Sequence, residues 1–158
     1  GYPGDEDKAR ALFAQLDQAK CREDFIAGAR WLQARPDGNG KLGVVGFCYG
    51  GGIAHMLTTQ LPDLAAAVPY YGNHPPVEDA AKVKAPLLIH FAAVDERINA
   101  AWPAYEAALK AAGVRYTAHQ YPGTQHGFNN DTTPRFDAAA AKLSWDRTMA
   151  FFKQNLNA

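Results

Sequence analysis

An apolar run, Leu42 to Phe47, passes through Cys48-Tyr49-Gly50-Gly51-Gly52 straight into a helical pattern carrying Ile53, Ala54, Leu57 and Leu61. A strand that becomes a helix within one or two residues needs a sharp turn, and small residues beside that turn let the two elements pass closely. An all-apolar strand is also the kind that a parallel sheet buries on both faces. Strand followed at once by helix is the unit of an α/β layer fold, and the rest of the chain repeats it.

Ala65 to Tyr71 reads as a second buried strand, Pro86 to Ala92 as a third and Tyr116 to Tyr121 as a fourth. Between the last two, Ala100 to Ala112 is helical, with Pro103 in its first turn and Gly113 just past its end. Ahead of the first strand, Asp5 is placed to cap a helix carrying Ala9, Leu12, Phe13 and Leu16. A second helix carries Phe25, Ile26, Ala29 and Leu32 and stops before Pro36, and Asp37 to Gly40 is a turn. The loop Pro122 to Pro134 leads to a final helix reaching Leu156, expected to face inward with Leu143, Met149 and Phe152. Strand alternating with helix four times predicts an α/β fold with a mostly parallel sheet, residues 1–158 forming a single domain. Ligands of such sheets sit beyond the carboxyl ends of the strands.

Composition narrows the function. Sixteen basic residues balance sixteen acidic ones, with no basic stripe, so nucleic acid and anionic membranes are poor partners. No apolar stretch approaches the roughly 18 residues of a membrane span. Two cysteines, Cys21 and Cys48, are too few for a disulfide framework and fit a reducing, cytoplasmic setting. No cluster has metal-ligand spacing, and neither metal nor organic cofactor is expected.

Three readings compete for the glycine loop. A phosphate-binding loop needs a lysine that is absent after Gly51, and a dinucleotide fingerprint would require glycine at His55. The third is the nucleophile elbow, glycine-x-nucleophile-x-glycine, met by Gly46, Cys48 and Gly50. It would set Cys48 at a helix N-terminus, where dipole and backbone amides favour a thiolate, and offer the Tyr49 N–H as an oxyanion donor. A buried structural cysteine in a tight turn is the plainer alternative. A catalytic cysteine needs a base and an orienting acid, in the chain order nucleophile, acid, histidine. Asp95 follows the third strand and His126 the fourth, and Glu96 is the rival acid. His90 reads as a core residue in mid-strand, His119 as strand surface and His55 as helical, while His74 lies in a loop at the ligand edge. A thiol redox role fares worst, because Cys48 has no C-x-x-C partner.

The segments "GFCYGGG", "PLLIHFAAVDERI", "YPGTQHGFNND" and "AKLSWDRTMAFFK" together resemble the dienelactone hydrolase family of α/β-hydrolases, over essentially the whole chain. The resemblance implies a three-layer α/β-hydrolase fold and a cysteine-dependent ester or lactone hydrolase, with Cys48 as nucleophile, His126 as base, Asp95 as orienting acid and a thioester intermediate. Members usually carry further strands ahead of the elbow, with a second oxyanion amide and a carboxylate that modulates the cysteine. Those N-terminal strands are missing here. The chain is therefore expected to be the C-terminal part of a longer domain, or to pair its elbow strand with a homo-oligomeric partner. Dienelactone-specific members hold the substrate carboxylate with an arginine a few residues past the histidine, where this chain has Gly127-Phe128-Asn129-Asn130 and reaches Arg135 only later. A non-catalytic remnant or binding module of the same fold is the alternative. Tyr71, His74, Trp102 and Phe128 are candidates for the pocket of a small-molecule ester or lactone, each equally readable as core packing.

Overall fold

In the computed structural model, residues 5–157 are described. The elements follow in the order α1 (Glu6–Phe13), α2 (Gln18–Gln33), β1 (Gly43–Phe47), α3 (Tyr49–Gln60), β2 (Ala66–Tyr70), a 3-10 turn (Val77–Lys82), β3 (Leu87–Val94), α4 (Glu96–Asn99), α5 (Trp102–Ala111), β4 (Tyr116–Gln125) and α6 (Ala138–Leu156). Asp5, Asp17 and Asp137 cap α1, α2 and α6, each accepting backbone N–H bonds from the first turn. The four strands form one parallel sheet in the order β1-β2-β3-β4, with β1 at one edge.

Alternation along the strands splits the core in two. Ala67, Leu87, Ile89 and Phe91 face one side and join Ile53, Leu57, Tyr105 and Leu109 of α3 and α5. Val68, Tyr70, Leu88 and Ala92 face the other and join Tyr121, Phe128 and Ala140. Helices on both faces make three layers, as the family resemblance implies.

Two helices turn differently from expectation. On α6, Leu143 and Met149 are exposed, and the inward face is Ala140, Ala141, Ser144 and Thr148, with Phe152 half-buried. The reason is what the sheet offers. Arg147 Nη1 donates to the Tyr121 hydroxyl (3.1 Å), so the hydroxyl proton goes to His90 Nδ1 (2.9 Å). His90 Nε2–H then donates to Thr148 Oγ1 (3.1 Å), as does the Tyr70 hydroxyl (2.8 Å), and Thr148 donates to the Ser144 carbonyl (2.9 Å). A buried polar row under the helix selects hydroxyl and small side chains there over leucine and methionine. His90 is the satisfied core histidine expected of a mid-strand position. Burial, then the charges of His119 and Arg147, lower its pKa to about 3, so it stays neutral. On α2, Ile26 and Ala29 reach the first core, whereas Phe25 and Leu32 are exposed.

Candidate active site

The turn between β1 and α3 is as sharp as the glycines imply. Cys48 adopts φ 54° and ψ −115°, left-handed backbone that a non-glycine residue rarely takes. The expected pair of close-packed glycines needs correcting. A Cβ on Gly46 would lie 1.9 Å from the Gly50 carbonyl oxygen, and one on Gly51 would lie 2.4 Å from that of Tyr70. A Cβ on Gly50 would meet open space. The elbow strand and helix therefore approach through Gly46 and the Gly50 backbone, and Gly51 lets α3 pack against the end of β2 and Gly72. The Tyr49 N–H heads α3, among the first-turn amides that have no intrahelical acceptor. The Tyr49 ring turns away, its hydroxyl donating to Gln18 Oε1 at 2.9 Å.

Sheet register delivers the acid to the histidine. Pairing of β3 with β4 is irregular between Ala92 and Val94, after which Val94 pairs with Gln125. β4 thus continues past Tyr121, where the sequence pattern ended it, to Gln125. The next residue on each strand is Asp95 and His126. Asp95 Oδ2 accepts from His126 Nδ1 at 2.6 Å, and the carboxylate is buried while the imidazole is partly exposed. With Nδ1–H so engaged, Nε2 is left as the basic nitrogen of the neutral ring. Glu96 is exposed, and Asp95 is the acid that meets the histidine.

Cys48 is half-buried in the same neighbourhood. Burial raises its thiol pKa, the charge of Arg135 opposes that, the Asp95 carboxylate adds to it and Arg97 again opposes. Burial thus outweighs the helix terminus that was expected to favour a thiolate. Both cysteines are free. Arg97 stood outside the sequence reading, and Arg135 entered it only as an arginine placed later than the family's carboxylate-holding position. Arg97 donates to Asn73 Oδ1 (2.9 Å), and Arg135 folds back so that its guanidinium lies 3.8 Å from where a Gly127 Cβ would be. The signal for Arg135 was Gly127 itself, whose φ of 86° turns the chain after His126.

The four pocket candidates separate. Tyr71 is brought to the site, its ring 5.0 Å from that of His126. Phe128 is fully buried between Tyr71 and Tyr121, and Trp102 packs on Phe91 and Tyr116 in the first core. His74 lines a cleft of about 420 Å³ between α2, α3 and the loop after β2, with Tyr49, Gly52, Met56 and Asn73 also on its wall. Cys48 and His126 do not line that cleft. Among the described residues no group of three or more His, Cys, Asp or Glu is placed to hold a metal. No described helix is long and apolar enough to cross a membrane.

An elbow cysteine and an aspartate–histidine pair thus lie at the carboxyl ends of parallel strands. A sequence model of the dienelactone hydrolase family matches residues 1–156. The chain belongs to that family. It is 31% identical over 154 residues to a protein of Escherichia coli K12 named "Putative carboxymethylenebutenolidase", covering 90% of this chain and 57% of the relative. A protein of the same name from Saccharolobus solfataricus is 32% identical over 142 residues, covering 88% of this chain and 55% of the relative. The chain thus spans a little over half the length of these curated relatives. A solved structure titled as a putative dienelactone hydrolase from Klebsiella pneumoniae superposes with a TM-score of 0.80 at 30% identity, over 90% of this chain and 64% of that one. A dienelactone hydrolase-like promiscuous phosphotriesterase from metagenomic libraries superposes with a TM-score of 0.79 at 21% identity, covering 96% of this chain and 67% of that one, which speaks for the α/β-hydrolase fold alone.

Proposed function

We propose that this chain carries the reacting groups of a hydrolase that cleaves a small ester or lactone by cysteine nucleophilic catalysis. The observation that carries the reading is the 2.6 Å bond between Asp95 and His126 at the end of the sheet where Cys48 sits on its strained turn. His126 Nε2 takes the Cys48 proton as the sulfur attacks the carbonyl carbon. The carbonyl oxygen, now an anion, accepts from the Tyr49 N–H. As the anion collapses, the carbon–oxygen bond to the alcohol breaks, and His126 returns its proton to that oxygen. A thioester remains. Water, losing a proton to His126, then releases the acid and restores the thiol. Asp95 holds the imidazole tautomer and stabilises its charged form.

Arg97 and Arg135 bring positive charge to Cys48. They favour the thiolate as it forms and an anionic group on the substrate, which suits a carboxylated lactone of the kind the relatives' name describes. A raised thiol pKa makes the cysteine quiet until the base acts, so reaction with iodoacetamide should still be climbing above pH 8. Hydrolysis of p-nitrophenyl acetate and intact-mass detection of an acetylated enzyme test the reading. Turnover and a trapped acetyl group should both vanish in Cys48→Ala. Equal turnover in that variant, or no ester hydrolysis by the chain at all, would sink it.

A further inference from the structure

Apart from Cys48, Tyr71 is the one non-glycine residue with positive φ among the described residues, at 35°. Backbone there is strained and persists only where the surroundings overdetermine it. They do so here. The Tyr71 N–H donates to the His90 carbonyl at 2.7 Å. The following residue, Gly72, lies so close to the first turn of α3 that a Cβ on it would sit 2.2 Å from the Gly51 carbonyl carbon. The chain must bend at Tyr71 to clear the elbow helix.

The bend has a consequence for the site. Phe47 pairs with Tyr70 in the sheet, so Cys48 and Tyr71 follow side by side off β1 and β2. The Tyr71 ring, buried and wedged on Phe128 at 5.4 Å, then presents itself to the His126 imidazole at 5.0 Å and 57°. His126 is fixed by Asp95 only at Nδ1, and an imidazole held by one hydrogen bond can still swing about it. A ring packed against it removes that freedom.

We propose that Tyr71 is a positioning residue for the ester or lactone hydrolysis proposed above, its ring holding His126 so that Nε2 faces Cys48. The surface that meets the imidazole is the aromatic ring. The inference rests on that reading for its kinetic test and has an independent readout in the imidazole itself.

Tyr71→Leu should lower kcat for p-nitrophenyl acetate by roughly 10- to 100-fold, the cost of a small misplacement of a catalytic group, with little change in KM. Tyr71→Phe, which keeps the ring, should restore the rate. In the NMR spectrum, His126 imidazole protons should shift in Tyr71→Leu as the ring current is lost and hold their positions in Tyr71→Phe. Cys48 alkylation by iodoacetamide should slow in the leucine variant alone. Unchanged kcat, His126 resonances and alkylation in a folded Tyr71→Leu would overturn the proposal. So would Tyr71→Phe failing as badly as Tyr71→Leu, which would assign the role to the hydroxyl. If the chain hydrolyses no ester, the hydrolase reading falls, and the resonances and alkylation rates still decide the role of Tyr71.

Discussion

Two histidine-containing regions of this molecule are built from similar parts and do opposite things. At the end of the sheet, His126 is paired with Asp95 at 2.6 Å and keeps one nitrogen accessible. On the α3 and α5 side, His55, His74 and Tyr105 pack ring against ring at 5.0–5.5 Å. None of the ring nitrogens of His55 and His74, nor the Tyr105 hydroxyl, hydrogen-bonds to a described residue. Burial is shared by both regions, and partners are not. A histidine becomes a base when one nitrogen is anchored and the other is free, and a buried histidine with neither anchored is a cost to folding. A ligating histidine normally anchors its second nitrogen as well, so this cluster lacks the mark of a metal site.

The comparison breaks most visibly at the anchor. Asp95→Asn should keep the fold but favour the wrong imidazole tautomer, lowering kcat/KM on p-nitrophenyl acetate by roughly 10³–10⁴-fold. A variant within tenfold of the parent, by steady-state kinetics, would mean that the pair does not work as a unit.

Acid should act on the buried histidines. Burial holds His55 well below its usual pKa, with the charge of His74 adding to this, and lowers His74 to about 4 and His90 to about 3. Since the unfolded chain protonates these groups near pH 6.5, it binds more protons than the folded chain below that value. Their stabilising contribution is full above pH 6.5 and is lost as the pH falls toward 4, by up to roughly 1.4 kcal/mol per histidine per pH unit. Denaturant melts at successive pH values should show this slope, and flat stability between pH 6.5 and 4 would contradict the buried, neutral assignment.

Within the fold, the satisfied histidine can be set against the unsatisfied one. His90→Phe takes the acceptor from the buried Tyr121 hydroxyl proton and one of two donors from Thr148, and should destabilise the protein by roughly 1–3 kcal/mol in urea unfolding. His55→Leu removes two unpartnered nitrogens from an apolar setting and should be neutral or stabilising by about 1 kcal/mol. It should also make the acid slope shallower by one histidine. Destabilisation of His55→Leu comparable to that of His90→Phe would show that the His55 ring is held by more than packing.

Much of this was legible in the chain. The first three strands are short and apolar, Asp5 reads as a helix cap, and loops carry proline and glycine, so alternation alone located the elements. The elbow turn and the Asp95–His126 pair were legible because a sharp strand-to-helix turn and chain order leave few positions for them. The inward face of α6 was not, because Leu143 and Met149 are the apolar choices by composition, while the sheet presents hydroxyl and imidazole groups to that helix. Nor was the extension of β4, whose Pro122-Gly123 reads as a loop although pairing resumes at Gln125.

By itself the sequence pointed to Cys48, Asp95 and His126 and to the end of the sheet they occupy, since local pattern and chain order are properties of the string. Tertiary structure decided the rest. The register that sets Val94 beside Gln125 makes Asp95 and His126 neighbours. Desolvation raises the Cys48 thiol against its helix terminus, and the contact of Gly72 with Gly51 bends Tyr71 toward His126. Each of these depends on atoms far apart in the chain meeting at ångström range, where hydrogen bonding, burial and steric exclusion act and no local spacing rule reaches.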